Sequence, residues 1–153
     1  MGRLTGCRPL GWWYGVLSLS RQPRSSWYRD RVREELHERR KATSRIQKLS
    51  ETSDVFFSIS RARHDGSSIR KLPVFSFRHM LVYAYMVAKF SLRWTFYRST
   101  AYLCNAPHYR NVREVVNPSK DQNLEEVALR NQVDPANFKL VGRRLRYVWP
   151  LLP

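Results

Sequence analysis

Residues 79 to 104 constrain the fold more than any other stretch of this chain. Tyr83, Val87, Phe90, Trp94, Tyr97, Ala101 and Cys104 recur at alternating spacings of four and three, an apolar seam three heptads long. Leu81, Tyr85, Leu92, Phe96 and Leu103 line another side of the same helix. A helix apolar on two sides sits at the centre of a bundle or is pressed between partners. It does not cross a bilayer: Lys89 and Arg93 interrupt it, and Met80 to Ala88 falls far short of the ~20 apolar residues a span needs.

Helical signals surround this segment. Ser26 is a candidate cap for a helix from Trp27 to about Leu49, with Asp30 in its first turn. Tyr28, Val32 and Leu36 form a thin apolar stripe that Ile46 and Leu49 resume, and Glu35–Arg39 and Asp30–Arg33 read as pairs along the surface. Val55 to Ile59 is short, β-branched and aromatic, and His64-Asp65-Gly66-Ser67 is a turn signal. Together with Ile69 to Phe77, where Pro73 confines the second arm to an edge, they predict a short β-hairpin. A helix opening at Ser53 or Asp54 is the alternative. Asn105-Ala106-Pro107 ends the central helix, and a short helix is expected from His108 to Val116. Two more follow, Leu124 to Asn131 and Pro135 to Val148, the second capped by Asp134. The expected fold class is mainly α: a small helical bundle with a short β-hairpin, forming one domain from 27 to 153.

Charge narrows the function classes. Lysine and arginine number 28 against 12 acids over 153 residues, a formal charge of +16. Such a charge opposes compaction and is relieved by a polyanion, nucleic acid before an anionic membrane surface. The cysteines, Cys7 and Cys104, can form at most one bridge, so no disulfide framework exists. The first 29 residues carry five arginines and no acid, with serines at 18, 20, 25 and 26. Residues 1–26 therefore read as a disordered leader with the composition of a mitochondrial transit segment, although its glycines and prolines weaken an amphipathic helix. Mitochondrial localisation is the expectation, with nuclear or cytoplasmic residence as the alternative.

Catalytic chemistry finds no foothold. Six glycines form no phosphate loop. His37-Glu38-Arg39-Arg40 begins like a zinc-protease helix, but Lys41 stands where the second histidine is needed. Cys104 and His108 lie four apart across Pro107, and two ligands do not close a zinc site. Glu34, Glu35, Glu38 and the pair Glu125-Glu126 read as solvated helix positions. The expectation is therefore no enzyme, no cofactor and no metal.

The tail carries the one motif. Leu124, Val127, Ala128, Val133, Phe138, Val141 and Leu145 resemble the apolar skeleton of a helix-turn-helix over 123–148. Ala128 matches the small residue where the helices cross, and Gln132 departs from the glycine that family prefers in its turn. The paired helices of a LysM module are similar. Lys139, Arg143 and Arg146 fall at i, i+4 and i+7, apart from the apolar side, which suits nucleic-acid contact. A second basic run, free of acids, comprises Arg39, Arg40, Lys41, Arg45 and Lys48. From Trp27 to Pro153, the phrases Ser50 to Phe57 and Val148 to Pro153 resemble small basic proteins of fungi without an assigned function, which implies no activity. Together these residues predict a non-enzymatic, nucleic-acid-associated protein, RNA favoured over DNA, in a larger ribonucleoprotein assembly. The alternative is a helical adaptor or assembly factor docking on a partner protein or an anionic membrane surface.

Overall fold

A computed structural model of the chain describes residues 8–67, 69 and 76–153. Among them the protein is helical and has no strand. The order is α1 (Arg8–Leu17), α2 (Ser25–Lys41), α3 (Arg45–His64), α4 (Phe77–Leu103), a 3-10 turn (Tyr109–Asn111), α5 (Asp121–Arg130) and α6 (Pro135–Arg146). The small helical bundle is as expected. The chain forms two compact units, one through Val87 with Pro153 and one from Ala88 to Leu152.

In the first unit α2 and α3 form a hairpin. The single helix expected from 27 to 49 is broken at Ala42–Ser44, because the Ser44 hydroxyl accepts from Gln47 N at 3.1 Å and so opens a new helix. Arg24, not Ser26, occupies the cap position of α2. Val32, Val55 and Ile59 make the core of the pair, joined by Leu36 and Ile69. Residues 8–17, expected within a disordered leader, instead form α1. Trp13, Tyr14 and Leu17 are buried, and the Tyr14 hydroxyl donates to the Phe57 carbonyl at 3.1 Å and contacts Ser60 Oγ. Residues 1–7 lie outside the described residues.

The expected hairpin is not formed where the structure describes it. Val55 to Ile59 belongs to α3, and residues 70–75 of the second arm lie outside the described residues. Asp65-Gly66 is a helix end: Gly66 adopts φ +87°, Ser67 N donates to Ala62 O at 2.7 Å, and Gly66 N donates to Arg63 O at 3.1 Å. That bond pair is the Schellman motif, which needs a left-handed residue after the cap.

The second unit closes around Phe96, Tyr97 and Ala101 of α4, Val112 just after the 3-10 turn, Leu124, Val127 and Ala128 of α5, and Phe138 of α6. Tyr97 and Phe138 stack with centroids 6.4 Å apart and planes 9° apart. Gly142 lets α6 approach closely: a Cβ there would meet Leu124 Cδ1 at 3.2 Å and Thr100 Cγ2 at 3.7 Å. The expected helix over 108–116 shrinks to one 3-10 turn, after which Val112 and Val115 are buried. Lys89 and Arg93, read as interruptions of the apolar seam, are buried in α4 beside Phe90, 5.8 and 5.3 Å from its ring centroid.

Candidate nucleic-acid interface

The two basic groups singled out in the sequence meet different fates. On α6, none of the three cations is idle. Lys139 Nζ lies 3.1 Å from Glu125 Oε2, Arg143 Nη2 lies 2.5 Å from Asp121 Oδ2, and Arg146 Nη2 lies 2.9 Å from Asp121 Oδ1. Arg146 Nη1 also donates to the carbonyls of Pro118 and Ser119, at 3.1 and 2.6 Å. The hydrogen bonds from Arg143 and Arg146 hold the Asp121 carboxyl down to about 2. The stripe therefore ties α6 to α5 and the segment before it, and its charge is largely met within the fold.

The other group stands free around the α2–α3 turn. Arg39, Arg40 and Lys41 close α2, and Arg45 and Lys48 open α3, all of them exposed. Arg39 donates its Nε to Thr52 Oγ1 at 2.9 Å. Arg40, Lys41, Arg45 and Lys48 are in no ion pair with a described residue. The three cations ending α2 complement the negative end of its dipole. Arg45 and Lys48 do the reverse: they sit at the positive end of α3, whose first turn contains no acid. Cations at the positive end of a helix dipole, with no acid in the first turn, create a local demand for an anion.

One carboxylate on α2 lies inside rather than on the solvated face. Glu35, expected on the solvated face and paired with Arg39, is only 2% exposed. It pairs instead with Arg31, Oε1 lying 2.5 Å from Nη2, and its Oε2 has no hydrogen-bond partner among the described residues. Glu35 follows Val32 by three residues, so it shares the buried stripe of Tyr28 and Val32; that spacing was the available signal. One carboxylate oxygen from each of Glu35, Glu38 and Glu51 lies within 4.8 Å of the others. Burial, assisted by Asp54, Glu38 and Glu51 and opposed by Arg31, pushes the Glu35 carboxyl up to about 7. With Arg31 already supplying one positive charge, a proton is the cation this arrangement favours.

Cys104 is a free, half-buried thiol. Burial, then the charge of Asp134, pushes it above the ordinary thiol range, the opposite of what a nucleophile requires. His108 is exposed just before the 3-10 turn and helps to line a recess of about 400 Å³ formed by Pro107 to Asn111.

α5 and α6 are joined by the short segment from Asn131 to Asp134. Asp134 caps α6 by accepting from Asn137 N at 2.9 Å, and Ala128 and Phe138 are fully buried. The turn also contains the left-handed residue whose place glycine usually takes, Gln132 at φ +57°. No helix among the described residues is long and apolar enough to cross a membrane. Compared with known proteins, the chain matches no family model, no curated protein and no solved structure.

Proposed function

We propose that the chain is a non-enzymatic, RNA-associated protein that contacts phosphate backbone through the α2–α3 turn, as a component of a larger ribonucleoprotein assembly. One observation carries this reading: Arg40, Lys41, Arg45 and Lys48 are exposed together at one end of a helical hairpin, without carboxylate partners among the described residues. In a protein of charge +16, such a group gains most from a dense polyanion, whose released counterions supply the driving force. Lys139, Arg143 and Arg146 are secondary contacts in this reading, because binding there must first displace Glu125 and Asp121. Backbone contact selects charge rather than sequence. RNA is preferred to DNA on the premise that the acid-free, arginine- and serine-bearing N-terminus directs the chain to mitochondria.

The test is binding of the full chain to RNA and to duplex DNA across a salt series. Affinity should fall linearly with log salt, and neutralising Arg40 and Lys41 together should flatten the slope by about 1.4 to 1.8. Absence of binding to either nucleic acid at low salt removes the proposal. Phe77, Met80 and Leu81, exposed at the start of α4, support the second reading, a helical adaptor docking on a partner protein or an anionic membrane surface. Tight binding to anionic vesicles, lost on Phe77→Ser with Leu81→Ser and paired with no RNA binding, favours that reading. The mitochondrial premise is tested separately, by whether a fluorescent fusion lacking residues 1–26 loses its address.

A further inference from the structure

We propose that the C-terminal end of α4 and the 3-10 turn after it form a stacking surface for unpaired bases of single-stranded RNA. The inference rests on the RNA-associated reading above and adds a ligand class and a second site to it. Trp94, Arg98 and Tyr102 are four residues apart on α4, so they share one side of the helix. The Arg98 guanidinium lies over the Trp94 ring, 4.2 Å from its centroid. Arg98 Nη2 also donates to the Arg110 carbonyl, which ties the helix to the turn. There the rings of Tyr102 and Tyr109 meet at 5.0 Å and 67°. Arg110 lies 5.7 Å from the Tyr109 centroid, and its Nε donates to the Tyr109 hydroxyl at 3.1 Å. Trp94, Arg98, Arg110, Tyr109 and Tyr102 are thus linked by successive contacts into one aromatic and cationic surface, and the recess at 107–111 borders it.

Two properties select the ligand. The first is the absence of acid. No Asp or Glu occurs between Asp65 and Glu114, and Glu114 is engaged by Arg130 at 3.0 Å. Arg98 and Arg110 are in no ion pair with a described carboxylate. The second is an aromatic ring left in water: Tyr102 is 60% exposed. An acidic peptide would satisfy the guanidinium groups and leave the ring faces unused. A duplex offers phosphates but keeps its bases inside its own stack. A single strand brings flat π faces and phosphates together, the pairing that aromatic and arginine surfaces take up.

The experiment titrates the full chain with a fluorescent uridine oligomer and an RNA duplex of equal length at low salt, followed by anisotropy. Tyr102→Ala should weaken oligomer binding by about tenfold, leave duplex binding within about twofold, and be rescued by Tyr102→Phe, which keeps the ring. Because Tyr102 is exposed, the thermal midpoint of the variant checks that folding is intact. Neutralising Arg40 and Lys41 should weaken both RNAs. If the parent binds the oligomer and Tyr102→Ala binds it equally well, the stacking surface is overturned while the phosphate-contact reading stands. If the parent binds neither RNA, both fall. If polyglutamate competes with the oligomer as effectively as unlabelled RNA does and depends equally on Tyr102, a protein partner replaces RNA at this surface.

Discussion

Arg143 and Arg146 each hold one oxygen of the same carboxylate, Asp121, at 2.5 and 2.9 Å. A helical stripe of cations thereby becomes a fastening between α5 and α6. The arginine spacing shows that these side chains share a face; it does not show what else reaches that face. Asp121 opens α5, twenty-two residues from Arg143 in sequence, and only the hairpin brings them together.

This pairing separates the two basic groups experimentally. Arg143→Ala should lower the thermal midpoint and leave the salt dependence of RNA binding nearly unchanged. Arg40→Ala with Lys41→Ala should do the reverse, flattening the slope by about 1.4 to 1.8 at constant midpoint. Calorimetry and anisotropy on the same preparations read both. The stabilising effect of Asp121 should persist above its ordinary range near 3.8 and disappear as pH falls through about 2, so the Arg143→Ala deficit should vanish in strong acid.

Glu35 predicts a pH dependence of the opposite sign. Its carboxyl titrates near 4.5 when unfolded and near 7 when folded. Below 4.5 both states hold the proton and nothing is lost. Between the two values the native state holds a proton that the unfolded state has released, so stability falls as pH rises. Above 7 the loss is complete, on the order of 3 kcal/mol from the size of the shift. Glu35→Gln remains neutral at every pH and keeps the shape of the side chain. In urea titrations it should therefore be more stable than the parent at pH 8 and lose that advantage by pH 4.5. An equal difference at both pH values would mean that the carboxyl titrates normally.

The central helix was legible because its seam repeats over three heptads, from Tyr83 to Cys104, and a long periodic signal is hard to mimic by chance. The last two helices were legible because Asp134-Pro135 is a strong start. The hairpin reading failed for a definite reason. Asp-Gly supplies a left-handed residue, and both a two-residue β-turn and a helix C-terminus need one; Gly66 serves the second. Glu35 was misread because a carboxylate beside arginines looks solvated, although its register with Val32 placed it inside. The surface around Tyr102 was missed because its parts come from a helix and a turn, and only Trp94, Arg98 and Tyr102 share a spacing. The long acid-free run from 66 to 113 was the signal that could have drawn attention to it.

Three helices end in the same way, and one of them does so at a cost. The backbone bonds after α3, α4 and α5 form the same two-bond pattern around Gly66, Asn105 and Gln132, each at positive φ. Glycine and asparagine enter that region readily, whereas a side chain such as glutamine crowds the next carbonyl by roughly 1–2 kcal/mol. Gln132 is exposed and has no compensating side-chain bond among the described residues. Gln132→Gly should therefore stabilise the protein by about 1 kcal/mol, even though glycine gains flexibility in the unfolded chain. Asn105→Gly, starting from a tolerant residue, should change stability much less. Denaturant midpoints of the two variants side by side decide the point.

Tyr97 offers the test of the second unit's core. Its ring is fully buried against Phe96 and Phe138, yet its hydroxyl is enclosed without a hydrogen-bond partner among the described residues. Burial raises that hydroxyl well above the ordinary tyrosine range, and Arg93 only partly offsets it. A buried hydroxyl that gives up water and gains no partner costs roughly 1–3 kcal/mol. Tyr97→Phe keeps the ring, its stack on Phe138 and its packing, and removes only that cost. The midpoint should therefore rise, corresponding to about 1 kcal/mol or more after allowing for the small void left behind. Tyr97→Ala should instead fall by about 3–5 kcal/mol, because the whole ring is lost from the core. If Tyr97→Phe is destabilised, the hydroxyl has a partner in solution, and a water bridging it to Arg93 is the first to look for, by the chemical shift and exchange of the hydroxyl proton.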